Sequence, residues 1–236
     1  MNKNLSNIFD NKCNLYIYDE IPEMDGYSYI NTPFEILDKL NEYSDLKEIN
    51  LYINSGGGSV NTGFNIINLL SRYRNEHNTV INVYIDGMAG SMAGVLAIAL
   101  ADNLYLYKNS LLMIHLALTN ITGNKHELME MVEILDKCDK QLEEVFLAKA
   151  KEGIAVEHLK DMMKEETWLN YEDIVEMFNI KTILLDYCNN KTVLNKLNYE
   201  KLNIPKNKLQ ILIENKELDY LEHKLLEYKE FILNNQ

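Results

Sequence analysis

Three short segments contain residue types that could support acyl transfer at a serine. Ser91 stands in the run GMAGSMAG (87–94), between an apolar strand pattern and a helical pattern. A serine there can present its hydroxyl at the carboxyl edge of a sheet, where the positive end of the next helix favours developing negative charge. The run SGGGS (55–59) also follows a strand pattern, and its backbone N–H groups could stabilise an oxyanion. His115 ends a third strand pattern, which favours the same sheet edge as Ser91.

Each segment also has a plainer structural explanation. Ser91 could be the N-cap of a tightly packed helix, and His115 a core histidine bonded to backbone. The run 55–59 could be a tight turn or a phosphate cradle, although the sequence contains neither GxxxxGK[ST] nor GxGxxG. The run HELME, which begins at His126, lacks the second histidine of a zinc HExxH site. We therefore predict no metal site and no cofactor.

The elements that must position these residues alternate between strands and helices. Such alternation predicts an α/β domain whose strands are buried and mostly parallel. The predicted strands are 15–18, 49–54, 80–85, 104–107, 111–114 and 182–187. The predicted helices are 34–43, 60–73, a buried helix within 87–101, 124–151, 156–164 and 171–178.

Composition narrows the classes of partner. The chain has 236 residues, 47% of them hydrophobic, and a net charge of −13, which makes nucleic acid an unfavourable partner. Cys13, Cys138 and Cys188 are scattered, as in a protein with reduced thiols. The apolar run 87–101 is shorter than the ~20 residues of a membrane span, and the N-terminus has no signal-peptide pattern. We expect a soluble, cytoplasmic protein.

The chain divides into two parts by pattern. Residues 1–189 contain the strand–helix alternation and form the predicted catalytic domain. Residues 190–236 form a predicted helical tail with an apolar stripe at Leu218, Leu221, Leu225, Tyr228 and Ile232. Docking of this tail on its own core is favoured over an intersubunit or partner contact.

The three segments, in their order along the chain, resemble the proteolytic subunit of the caseinolytic (Clp) protease. YINSGGGSV (52–60) is similar to that family's oxyanion loop, GMAGSM (87–92) to its nucleophile segment and MIH (113–115) to its histidine motif. The resemblance covers residues 14–187 and is nearest to the phage and prophage head maturation branch, notably in EETWLNYEDIVEMFNI (165–180). It implies a ClpP/crotonase-type fold of stacked ββα units. The helix 124–151 would project as a handle for oligomerisation, and 190–236 would form a helical C-terminal extension.

The resemblance assigns roles to individual residues. Ser91 matches the nucleophile and His115 the general base, whereas Gly58 and Met92 match the positions whose backbone N–H groups form the oxyanion hole. Aligning Trp168 with the family's aromatic residue places Glu166 at the position of the catalytic acid. Glu165 and Asp161 remain alternatives for that acid.

Several positions depart from the family pattern. Gly56 replaces a proline, Gly90 replaces an alanine, and Leu116 and Ala117 follow the histidine where the family usually has Gln-Pro. The N-terminal segment lacks the recognisable axial-loop sequence, which puts docking of an unfoldase ATPase in doubt.

The resemblance implies a serine-type endopeptidase acting on polypeptides inside a heptameric or double-heptameric (tetradecameric) ring. Its substrates would be chains delivered for Clp-type proteolysis or, in a phage, scaffold and capsid precursors. Two alternatives remain. One is an acyl-CoA hydratase or isomerase of the crotonase fold, and the other a non-catalytic assembly protein.

Overall fold

A computed structural model describes residues 11–24, 29–43 and 46–186 of the chain. These residues form a mixed α/β fold, which confirms the predicted class. The strands are β1 (Lys12–Tyr18), β2 (Glu48–Ser55), β3 (Val80–Gly90), β4 (Asn103–Tyr107), β5 (Leu111–Ile114), β6 (Thr167–Leu169) and β7 (Lys181–Leu185). The helices are α1 (Pro33–Leu40), α2 (Val60–His77), α3 (Met92–Leu100), α4 (Lys125–Lys149), α5 (Val156–Lys164) and α6 (Tyr171–Met177). The predicted tail 190–236 lies outside the described residues.

The strands form one sheet in the order β1-β2-β3-β4-β7, and all neighbours in that row are parallel. The long strand β3 serves two partners in turn: Asn82–Ile85 pairs with β4, and Met88–Gly90 pairs with β5. The sequence pattern predicted that this strand would end at residue 85. It continues because β5 supplies hydrogen-bond partners for the next segment. The short β6, which was not predicted, pairs antiparallel with β5.

One face of the sheet forms the core. Every second residue of β1, β2, β3 and β4 is buried on this face, as the period of a strand requires. The apolar helix α3 is buried almost throughout and packs against α2. Ala and Gly residues in α3 allow this close approach, so the helix that begins beside Ser91 is fixed by the core.

The opposite face carries two ladders of identical side chains across four strands. Asparagines at paired positions are joined by amide hydrogen bonds of 3.0, 3.1 and 2.8 Å, running through Asn14, Asn50, Asn82 and Asn103. Two residues further along, tyrosine rings stack at centroid distances of 5.1, 4.8 and 4.4 Å, running through Tyr16, Tyr52, Tyr84 and Tyr105. A shift of one residue would break both ladders, so they help to specify the register of the sheet.

Helix α4 is long but is only partly covered by the domain. Its buried residues are Leu142 and Phe146, in its C-terminal half. Its N-terminal half exposes apolar side chains at Leu128, Met129, Val132 and Ile134. Within the described ranges, no helix combines the length and apolar character that a membrane crossing needs.

The centre of the asparagine ladder should matter more for stability than its end. Asn82 is buried and bonds to both neighbours, so Asn82→Ala leaves the amides of Asn50 and Asn103 without that partner. We expect the free energy of unfolding to fall by about 1–3 kcal/mol. Asn14→Ala, the matched control, removes a single bond at an exposed end and should cost less. Urea unfolding followed by Trp168 fluorescence measures both losses, and equal losses would contradict a cooperative ladder.

Candidate active site

Ser91 occupies the turn between β3 and α3 in an unusual backbone conformation. Its φ is 52° and its ψ −127°, a region that non-glycine residues seldom adopt. Two backbone hydrogen bonds hold it there, from Ser91 N–H to the Met113 carbonyl (2.9 Å) and from Val95 N–H to the Ser91 carbonyl (3.1 Å). The Ser91 hydroxyl caps no helix N–H. Ser91 therefore stands at the N-cap position of α3 without a capping hydrogen bond from its side chain.

The Ser91 hydroxyl instead meets His115. The distance from Ser91 Oγ to His115 Nε2 is 2.6 Å, so the hydroxyl can donate to the ring when Nε2 is unprotonated. The register of β3 and β5 explains the meeting, because Gly90 pairs with Met113 and the residues that follow each of them lie at the same sheet edge. Two residues 24 positions apart in sequence are thereby brought into contact.

The glycine turn after β2 packs directly against the Ser91 turn. Gly57 has φ +100°, and a Cβ added there would lie 2.6 Å from the Gly90 carbonyl oxygen and 2.7 Å from Ser91 Cβ. Ile21 fixes the other side of the turn, since its N–H donates to the Gly57 carbonyl (2.8 Å) and its carbonyl accepts from Ser59 N–H (2.9 Å). The glycines are therefore required for a close approach of two backbones.

Two backbone N–H groups remain available next to the hydroxyl. Within the described part of the chain, no hydrogen-bond partner is found for the N–H of Gly58 or of Met92. Met92 is the first residue of α3, where helical N–H groups have no partner inside the helix. Both residues line the same cavity, of about 600 Å³, as Ser91 and His115. Both N–H groups are therefore candidate donors to an oxygen atom bound in this cavity.

The cavity is lined by both apolar side chains and acids. The apolar group includes Val95, Leu142 and Phe146, and the acids are Glu20 and Glu23.

None of the three acids proposed from the sequence contacts His115 in the described part of the chain. Asp161 is exposed and pairs with Lys164 at 3.2 Å, and Glu165 ends α5. Glu166 is exposed with φ 52°, and it immediately precedes β6. Glu166 directly precedes Thr167, the partner of Ile114, and the β5–β6 ladder ends at that pair because the next N–H, that of Leu116, donates to the Met163 carbonyl. Of the three, Glu166 thus has the backbone position nearest to the expected role.

The structure also contains a carboxylate near His115 that the sequence did not indicate. Asp139 lies on α4, and its Oδ1 accepts the backbone N–H of Ala117 at 2.6 Å. Burial raises the pKa of Asp139, while the Ala117 hydrogen bond and the charge of His115 act to lower it. An acid in a strongly charged helix is usually a surface residue, so only the apolar spacing of Leu135 and Leu142 around it could have suggested an inward position.

Comparison with known proteins identifies the family. The family model for Clp protease matches residues 6–184. The chain belongs to the Clp protease family. Within this family, it is 28% identical over 128 residues to ATP-dependent Clp protease proteolytic subunit 2 of Bacillus licheniformis. It is 35% identical over 100 residues to the ATP-dependent Clp protease proteolytic subunit of Ligilactobacillus salivarius, and 24% over 148 residues to that of Streptococcus agalactiae.

These matches to Clp protease subunits cover parts of each chain. They include 54%, 42% and 61% of this chain and 64%, 49% and 72% of the respective relatives. The chain thus spans less than two thirds of the first two relatives. Membership in the Clp protease family and the α/β fold are established, whereas the roles of Ser91, His115, Gly58, Met92 and Glu166 stay predictions.

The contact between Gly57 and the Ser91 turn can be tested against a matched glycine. Gly57→Ala and Gly153→Ala both place a side chain at positive φ, +100° and +96°, which costs about 1–2 kcal/mol. A Cβ at Gly153 meets nothing within 4 Å, whereas at Gly57 it overlaps backbone. We expect Gly57→Ala to lose about 1–3 kcal/mol more than Gly153→Ala in urea unfolding. Equal losses would mean that the two turns do not pack as described.

Proposed function

We propose that the chain is a serine-type endopeptidase that cleaves polypeptides through an acyl-enzyme. The contact of 2.6 Å between Ser91 Oγ and His115 Nε2 carries this proposal. It is supported by the neighbouring N–H groups of Gly58 and Met92 and by the strained backbone of Ser91. In this proposal Ser91 is the nucleophile, His115 the general base, and Glu166 the acid.

Acylation follows from the positions of these groups. Ser91 Oγ attacks the carbonyl carbon of the peptide bond while its proton moves to His115 Nε2. The carbonyl oxygen becomes negative and accepts hydrogen bonds from Gly58 and Met92 N–H. When the carbon–nitrogen bond breaks, the imidazolium gives its proton to the leaving amine. The result is an ester on Ser91 and a neutral imidazole.

Deacylation uses the same groups in the same order. A water molecule gives a proton to His115 Nε2 and attacks the ester carbon, and the oxyanion again forms beside Gly58 and Met92. Collapse breaks the bond to Ser91 Oγ, which takes the proton back from His115. The carboxylic acid product leaves, and the starting state is restored.

Glu166 is proposed as the acid because of its place in the β5–β6 register. It directly precedes Thr167, the partner of the residue before His115, and its positive φ is a backbone cost of the kind that functional positions often carry. A carboxylate that reaches His115 Nδ1 would fix the ring and stabilise the imidazolium. Substrate-free sites often show such contacts longer than they become during reaction.

The substrate and the assembly are proposed from the family and from the exposed surface of α4. The apolar side chains of its N-terminal half suit a homo-oligomeric ring, heptameric or double-heptameric, in which α4 meets another subunit. Cleavage inside such a ring would be confined to unfolded or delivered chains in the cytoplasm. Those chains would be presented by an unfoldase ATPase or, in a phage, would be scaffold and capsid precursors.

The nucleophile can be identified by covalent labelling of the whole purified chain. A fluorophosphonate probe should label Ser91, with the modified residue mapped by mass spectrometry. Ser91→Ala and His115→Ala should lose labelling, and Ser91→Ala should lower the turnover of a peptide substrate by about 10⁴-fold or more. Assembly and thermal stability should persist in both variants.

Ser71→Ala is the matched control, because Ser71 lies on α2 and is not among the residues that line the cavity. It should keep both labelling and turnover. Labelling at Ser59, which also lines the cavity, would assign the nucleophile to Ser59 instead of Ser91. A chain that is never labelled but assembles normally would indicate the assembly protein, and an unlabelled chain that binds coenzyme A would indicate the hydratase or isomerase.

The acid can be identified by three single substitutions in neighbouring positions. Glu166→Gln should lower kcat/KM by about 10²- to 10⁴-fold, because an amide cannot stabilise the imidazolium. Glu165→Gln and Asp161→Asn are the matched controls and should retain kcat/KM within about threefold, the scale of a small local perturbation. If either control lowers kcat/KM more than Glu166→Gln does, the residue substituted in that control is the acid.

A further inference from the structure

The segment that follows His115 is held from two sides. On one side, Leu116 N–H donates to the Met163 carbonyl at 3.1 Å, which joins it to the end of α5. On the other side, Ala117 N–H donates to Asp139 Oδ1 at 2.6 Å, which joins it to α4. Residues on both sides of Asp139, Cys138 and Leu142, line the cavity that contains Ser91. The carboxylate therefore sits where the long helix meets the active-site wall.

The hydrogen bond to Asp139 coincides with a departure from the family pattern. Where the resemblance implies proline, this chain has Ala117, which brings a backbone N–H that proline lacks. Proline would also fix φ and stiffen the chain next to the histidine. The bond from Ala117 to Asp139 satisfies the added donor and restrains the same residue by a different means.

The position of this restraint matters because His115 must keep a short contact with Ser91. Only Leu116 separates His115 from the restrained residue, so movement of Ala117 would carry the imidazole with it. A displacement of about 1 Å in such a site can cost roughly 10²-fold in rate.

We propose that Asp139 is a positioning residue, which holds His115 against Ser91 by accepting the N–H of Ala117. This inference rests on the proposed function, since it assigns a task to His115 as the base. Asp139 touches neither the substrate nor the reacting atoms in this scheme. It acts through the backbone, and Glu166 keeps the role of the acid.

Two substitutions at Asp139 separate the hydrogen bond from the rest of the side chain. Asp139→Ala removes the acceptor and should lower the second-order rate of fluorophosphonate labelling by about 10- to 100-fold, with kcat falling more than KM rises. Asp139→Asn keeps an oxygen that can accept the Ala117 N–H and should recover most of that loss. Asp136→Asn removes a similar charge one turn away on α4 and is the control; it should label like the parent chain.

A double substitution tests whether the effect passes through Ala117. In an Ala117→Pro chain there is no N–H for Asp139 to accept, so adding Asp139→Ala should change the labelling rate less than twofold. If the Ala117→Pro chain does not fold, the comparison of labelling rates between Asp139→Asn and Asp139→Ala tests the proposal by itself. Parent-like labelling in Asp139→Ala, or equal losses in Asp139→Asn and Asp139→Ala, would overturn the proposal.

Nuclear magnetic resonance signals of the His115 ring distinguish a failure of this proposal from a failure of the proposed function, because they report the position of the ring without requiring activity. If the parent chain is never labelled at Ser91, the proposed function fails on that result alone. Nuclear magnetic resonance of the His115 ring then still reports its position in the parent chain and in Asp139→Ala. Shifted ring signals, restored in Asp139→Asn, support positioning by Asp139, and unchanged signals overturn it.

Discussion

The close approach of the glycine turn to the Ser91 turn is the constraint on which the site depends. Gly57 leaves no room for a Cβ, and Gly90 and Ser91 occupy the space that one would need. This approach brings the N–H groups of Gly58 and Met92 to one cavity and keeps Ser91 in its left-handed conformation. The strain at Ser91 is sustained because backbone hydrogen bonds to Met113 and from Val95 hold both ends of the turn.

The sheet makes the close approach of the two turns possible because β3 pairs with β4 along its first part and with β5 along its last part. Its first part is fixed among β2 and β4, where the asparagine and tyrosine ladders allow one register. Its last part pairs with β5 and delivers Gly90 beside Met113. A slip of β2 against β3 at the ladders would therefore shift the glycine turn after β2 relative to Ser91, so the polar face of the sheet and the arrangement at its edge depend on the same alignment.

Much of this arrangement could be predicted from sequence, because strands and long helices leave periodic patterns. The runs before Ser55 and Ser91 indicated the fold class, whereas the pairing of Ser91 with His115 came from the resemblance of the three ordered segments to the Clp family. Periodicity could not find β6, which has three residues, or the extension of β3 to Gly90, which depends on pairing with β5. It could at most suggest, through the apolar spacing of Leu135 and Leu142, that Asp139 faces inward, and it could not show the hydrogen bond to Ala117, which is a tertiary contact.

Where the resemblance implies a proline two residues after the histidine, the chain has Ala117, and this change loosens the backbone unless another restraint replaces the proline. The backbone N–H gained at Ala117 would be costly if it were partly buried without an acceptor. Asp139 removes that cost and ties the histidine segment to α4, the helix whose N-terminal half exposes an apolar surface. The imidazole thus takes its position from β5, α5 and α4 together, whereas a proline would have restrained the chain locally.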